Sequence, residues 1–281
     1  MMKQTIQKMD TVTANAASQC KLEIISRLPA SPPRHRMPIL FIHGAYAGAW
    51  CWKERFLPWF AQRGWAAHAV SLSGHGNSPG RDGLDRLGLD QYVADIVETV
   101  ATLPAPPILV GHSMGGMVVQ KYLERAAAPA VVLMASVPPQ GLIYSALGLF
   151  FTAPQLFVDL NRIMGGGEPS ADSMRQILFH QPISVENLKR YWKRFQPESH
   201  RALWDMSFFN LPNTSRVYRA PMLVLGAQYD RLISPGQVKM TANAYGVPPE
   251  IFLNMGHAMM LERGWEQVAV RIDEWLTAQG L

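Results

Sequence analysis

Short, predominantly apolar runs recur along the chain, most of them stopping at glycine, serine or histidine, with longer amphipathic stretches between them. The runs at 37–42, 66–72, 108–110, 130–135, 221–226 and 250–253 are the length of strands, and the wholly apolar ones suit strands covered on both faces. A further strand is expected at 22–27, ahead of a proline-rich turn. Helical periodicity fills 50–62, 89–101, 117–125, 235–245 and 265–278. Pro58 should kink or restart the first of these, and Gly64 should end it. In the second, Asp90 is the expected cap, with Tyr92, Ile96, Val97 and Val100 on the buried side. In the last, Val268, Ile272, Trp275 and Leu276 form one stripe.

Strands that alternate with helices predict an α/β fold, a mostly parallel, doubly wound sheet. The alternation fails once, between 138 and 218, where Phe, Leu, Met and Trp are frequent and the pattern reads as a set of helices. An insertion leaving after the strand that ends at Ala135 emerges at the C-terminal ends of the strands. The expected organisation is therefore a flexible segment 1–18, a core of 19–137 and 219–281, and a helical lid 138–218. Residues 1–19 are polar and lack the apolar centre of a signal peptide. No run reaches the ~18 apolar residues of a membrane helix, so stable membrane insertion is not expected.

The run at 108–110 leads directly into Gly111-His112-Ser113-Met114-Gly115-Gly116 and then into helical sequence. Strand, sharp turn and helix around Gly-x-Ser-x-Gly make a nucleophile elbow. A serine on that turn is strained, and the strand and helix backbones pass too closely for side chains two residues to either side. A hydroxyl is a poor nucleophile unless a base takes its proton, and the base needs a carboxylate to hold its tautomer. Both partners must lie at C-terminal strand ends. Asp230, shortly after the strand at 221–226, and His257, shortly after that at 250–253, satisfy this. The segment 136–141 carries no carboxylate, and Asp159 lies within the expected lid. An oxyanion hole would draw one amide from Met114 and another from the loop after Ile42, with Ala45 the first choice and Tyr46 the second.

Composition narrows the function classes. At 281 residues, with 48% hydrophobic and 17% charged residues, the chain is globular rather than disordered. Its net charge of +5 is scattered, apart from Lys189, Arg190, Lys193 and Arg194, and nothing resembles a nucleic-acid motif. That cluster reads as a solvated helix face. Cys20 and Cys51 have no metal-ligand spacing and imply no disulfide framework, which fits a cytoplasmic location.

The motifs resemble those of the α/β-hydrolase superfamily, in particular small bacterial-type carboxylesterases and lysophospholipase-like enzymes. The resemblance rests on His43-Gly44-Ala45, Ser73-Gly74-His75-Gly76-Asn77-Ser78, the Ser113 elbow, Asp230 and Gly256-His257, and spans about residues 37–275. The segment from His43 to Trp52 is similar to that of methyl-ester esterases related to hydroxynitrile lyases. One departure is Ser71-Leu72-Ser73, where many relatives carry an aspartate. The resemblance implies that His43 orients the oxyanion loop. It also implies a Ser113-His257-Asp230 triad, oxyanion donors Ala45 and Met114, and no cofactor or metal. The expected activity is hydrolysis of a small-molecule ester with a lipophilic acyl or aromatic group. Substrate contacts are assigned to Tyr46, His112, Leu147, Phe150, Phe151 and Met164. An acyltransferase or C–C-bond hydrolase using the same triad, or a ligand receptor on the same fold, are the alternatives.

Overall fold

The computed structural model describes residues 22–142, 158, 159, 162 and 171–281. The expected substrate contacts Leu147, Phe150, Phe151 and Met164, and the segment 1–18, lie outside them. Among the described residues, the strands are β1 (Ile24–Arg27), β2 (Ile39–Ile42), β3 (Ala67–Val70), β4 (Ile108–His112), β5 (Val131–Met134), β6 (Met222–Ala227) and β7 (Pro249–Phe252). They form one sheet in the order β1-β3-β2-β4-β5-β6-β7. Only β1 runs antiparallel, against β3; every other pairing is parallel.

The apolar runs divide between two cores by the period of a strand. Ile39, Phe41, Val110, Val132, Leu223 and Leu225 point to one face, where helices α1 (Trp50–Lys53), α2 (Phe56–Gln62) and α9 (Trp265–Ala278) supply Trp52, Phe56, Phe60, Val268 and Ile272. Leu40, Ile42, Leu109, Val131, Leu133 and Val224 point to the other. There α3 (Leu89–Thr102), α4 (Met114–Tyr122) and α8 (Pro235–Tyr245) contribute Tyr92, Ile96, Met117, Val118 and Val238. The insertion contains α5 (Ala171–Leu178), α6 (Val185–Trp192) and α7 (His200–Trp204). No helix among the described residues is long and apolar enough to cross a membrane.

Three local expectations are corrected. The helical stretch at 50–62 breaks at Glu54–Arg55, upstream of Pro58, which sits in the first turn of α2 where its missing N–H costs nothing. Asp90 does not cap α3: its N-cap is Gly88, Asp90 pairs with Arg125, and Asp205 of the insertion accepts the Leu89 N–H at 3.1 Å. Val97 is 44% exposed, and Val93 takes its place on the buried face. In α9, Val268, Ile272 and Leu276 are buried as expected, with Trp275 packed beside them.

Strand order fixes where a site can form. The chain steps from β2 to β3 on one side and from β4 to β5 on the other, so the winding reverses between β2 and β4. Such a reversal is where open α/β sheets place their binding sites, at the C-terminal strand ends. Ile42 is paired with Gly111, which brings the loop after β2 level with Ser113.

Candidate active site

Ser113 lies between β4 and α4 with φ 53° and ψ −118°, a left-handed conformation that a non-glycine residue adopts only under constraint. The glycines on either side supply the constraint. A Cβ at Gly111 would meet the backbone of Gly115 and Gly116, and one at Gly115 would meet the carbonyls of Ile42 and His43. The turn therefore packs strand, helix and neighbouring loop at backbone-to-backbone distance.

His257 and Asp230 arrive from loops beyond β7 and β6. The imidazole Nδ1–H donates to Asp230 Oδ2 at 2.7 Å, and Nε2 lies 3.0 Å from Ser113 Oγ, placed to accept its proton. Asp230 is buried, and its other oxygen accepts the amides of Leu232 and Ile233, each at 2.8 Å. Those amides lock the carboxylate toward the histidine. The helix cap is supplied instead by Ser234, through a capping box with Gln237.

The structure brings Ser113, His257 and Asp230 together, and His112 packs beside them. Its ring is buried, and its Nε2–H donates to the carbonyl of His257 at 2.9 Å. Desolvation, then the neighbouring His257, pushes its pKa well below the ordinary histidine value, so it stays neutral. Through this bond His112 ties the end of β4 to the histidine loop.

The loop after β2 is held peptide by peptide. His43 Nδ1–H donates to Gly44 O at 2.8 Å, and its Nε2 accepts the Leu72 N–H at 3.0 Å. This pattern requires a neutral ring, and burial, the largest cause, lowers its pKa to about 3. With Gly44 O turned toward His43, the Ala45 N–H of the same trans peptide points the opposite way. Gly44 itself packs against Ser113 and His112. Met114 is the first residue of α4, so its N–H has no intrahelical acceptor. Among the described residues, no acceptor takes the Ala45 or Met114 N–H. The second-choice donor is not available, because the Tyr46 N–H already donates to Glu198 at 3.2 Å.

Among the carboxylates that escaped the sequence reading, Glu23 and Asp95 hold the loop after β3. Glu23 Oε2 accepts the Ser71 hydroxyl at 2.6 Å and the Asn77 amide at 3.1 Å, so a carboxylate reaches the Gly-His-Gly loop from residue 23 rather than from 71 or 73. Asp95 of α3 accepts both the amide and the hydroxyl of Ser73. Neither has a local motif; only the pairing of β1 with β3 and the docking of α3 bring them in. The basic cluster on α6 is partly committed, since Arg190 and Arg194 both pair with Glu54. Among the described residues, no group of three or more His, Cys, Asp or Glu is placed to hold a metal ion.

Residues 39–271 match the alpha/beta hydrolase family. The chain belongs to that family. Similar proteins with curated descriptions include Esterase PIR7B of Oryza sativa subsp. japonica, 34% identical over 109 residues, covering 36% of this chain and 40% of the rice protein. The Pyrethroid hydrolase of Sphingobium wenxiniae is 34% identical over 146 residues, covering 52% of this chain and 46% of the relative. The alignments thus span less than half of these relatives. Among solved structures, the monoacylglycerol lipase of Paleococcus ferrophilus is similar with a TM-score of 0.67 at 22% identity, over 92% of this chain and 99% of that one. An esterase from Exiguobacterium antarcticum gives 0.68 at 16% identity, over 91% and 95%. At such identities the structural likeness establishes the fold of this alpha/beta hydrolase, and nothing finer.

Proposed function

We propose that the protein is a carboxylic ester hydrolase working through an acyl-enzyme on Ser113. The observation that carries this is the continuous chain from Ser113 Oγ through His257 to Asp230, with bonds of 3.0 and 2.7 Å. Ser113 Oγ attacks the ester carbonyl as His257 Nε2 takes its proton, and Asp230 steadies the imidazolium. The developing oxyanion receives the N–H groups of Ala45 and Met114. The tetrahedral adduct collapses, and the leaving alkoxide takes the proton from His257. Water, deprotonated by the same nitrogen, then adds to the acyl group, and its collapse returns Ser113. These steps need neither metal nor organic cofactor.

A lipophilic acyl or aromatic ester is the proposed substrate class, bound beneath a lid formed by 138–218. Its support is the aromatic character of the insertion where it meets the core: Tyr191 stacks on Trp50 at 6.0 Å, and Phe195 meets the same indole edge-on at 5.6 Å. Tyr46 is kept as a substrate contact, because its buried hydroxyl finds no hydrogen-bond partner among the described residues. The names of the curated relatives, esterase, methylesterase and pyrethroid hydrolase, fit this class.

The test is turnover of p-nitrophenyl esters of increasing chain length by the wild type and by Ser113→Ala. The variant should lose nearly all activity, a drop on the order of 10⁴-fold or more, and a fluorophosphonate should label the wild type at Ser113 alone. Full activity in Ser113→Ala would refute the scheme. Product analysis with a competing alcohol separates hydrolysis from acyl transfer.

A further inference from the structure

We propose that Glu198, carried by the insertion, is a positioning residue for the oxyanion loop: through the amide of Tyr46 it holds the Ala45 N–H on the anion formed at Ser113. This role presupposes acyl transfer at Ser113 and extends it to a residue that touches neither substrate nor triad.

Tyr46, next to the oxyanion donor, has φ 62°. A bulky side chain in the left-handed region keeps that conformation only where its surroundings over-determine it. The insertion supplies the surroundings on both sides. The Tyr46 N–H donates to Glu198 Oε2 at 3.2 Å, and its carbonyl accepts the Gln196 N–H at 2.9 Å. Gln196 is itself tied to the next loop, its Oε1 accepting the Gly76 N–H at 2.8 Å. Three consecutive peptides are therefore fixed: Gly44–Ala45 by His43, Ala45–Tyr46 by Glu198 and Tyr46–Ala47 by Gln196.

Glu198 is built for this task in a way a surface tether is not. Its side chain is fully buried, and each oxygen receives two donors. Oε2 takes the Tyr46 amide and His75 Nε2 at 3.0 Å; Oε1 takes the Tyr92 hydroxyl at 2.7 Å and the Ser199 amide at 2.8 Å. Burial works against the carboxylate, and His75, Tyr92 and the Ser199 amide outweigh it, holding Glu198 below the usual glutamate range. The other ring nitrogen of His75 lies 3.1 Å from the Ser73 carbonyl, so the ring bridges Glu198 and the loop after β3. One buried carboxylate thus joins the insertion to the loops after β2 and β3 and to helix α3.

The experiment compares Glu198→Gln with the wild type. Glutamine has one acceptor oxygen where glutamate has two, so its NH2 must confront donors on one side. We expect kcat on a p-nitrophenyl ester to fall roughly 10–100-fold with KM changed by less than about threefold, as for a misplaced oxyanion donor. The inhibition constant of a trifluoromethyl ketone, which adds to Ser113 as a hemiketal oxyanion, should rise by the same factor. If Glu198→Gln does not fold, Glu198→Asp, which withdraws the carboxylate by one methylene, must show the same parallel loss. A folded E198Q with wild-type kcat and wild-type ketone affinity would overturn the role of Glu198 while leaving the triad intact. Undiminished activity in Ser113→Ala would instead overturn acyl transfer itself.

Discussion

Ser113 can present its hydroxyl because the residues around it have no side chains to lose. Gly115 shows this most sharply, since its missing Cβ would lie 2.5 Å from the His43 carbonyl and 2.6 Å from that of Ile42. Both are backbone atoms of the loop that carries the proposed oxyanion donor, and neither can step aside without moving it. Gly115→Ala is expected to lower stability by about 1–3 kcal/mol in urea denaturation, with a loss of activity larger than the fraction unfolded explains. The glycine spacing was legible in the sequence, because a nucleophile elbow leaves a local signature. Glu23, Asp95 and Glu198 were not legible: each acts on a loop that only the folded chain brings near, and an isolated Asp or Glu reads as an ordinary surface residue. The bond from His112 to the His257 carbonyl was hidden for a related reason, since its partner lies 145 residues further along the chain.

At the scale of elements, the apolar runs predicted the strands closely, because a strand covered on both faces has no polar face to confuse its limits. Helix ends were less legible. The start of α8 follows its local code, with Ser234 as N-cap, proline in the first turn and Gln237 completing the capping box. Ser234→Ala should therefore cost about 0.5–2 kcal/mol, measured as a shift in the denaturation midpoint, with kcat nearly unchanged. The start of α3 does not follow such a code. Its first amide is satisfied by Asp205, 116 residues away in sequence, so no search near Asp90 could have found the cap. Pro58 likewise did not set the break in the helix at 50–62; the chain turned earlier, and the proline was absorbed into the first turn of α2.

The whole molecule carries an electrostatic consequence of its buried histidines. His43, His68 and His112 all have pKa values lowered by burial, that of His43 to about 3. Unfolded, each would titrate near ~6.5, so below that pH the unfolded chain binds more protons than the folded one. Stability should accordingly fall as pH drops from about 6.5 toward 4, by up to about 1.4 kcal/mol per pH unit for each fully buried ring. Glu198, held below the usual glutamate range, adds to the loss on acidification, while Glu262 and Asp95, raised by burial, oppose it only near the carboxylate range. Urea midpoints between pH 7 and 4 check the sign, and a flat profile would contradict neutral buried rings.

By itself the sequence determined the layered α/β architecture and the identities of the residues that meet at 113, 230 and 257. Those follow from short-range rules: strand and helix periods, a glycine-framed turn, and the requirement that reactive groups follow the C-terminal ends of strands. Tertiary structure alone decided which N–H groups of the loop after β2 keep no acceptor among the described residues, which histidines hold neighbouring loops, and which carboxylates fix those loops in place. Such choices depend on partners distant in sequence, Tyr46 lying 152 residues from Glu198 and Leu89 lying 116 from Asp205. A one-dimensional pattern cannot encode a hydrogen bond whose two ends meet only after the sheet has wound and the insertion has docked.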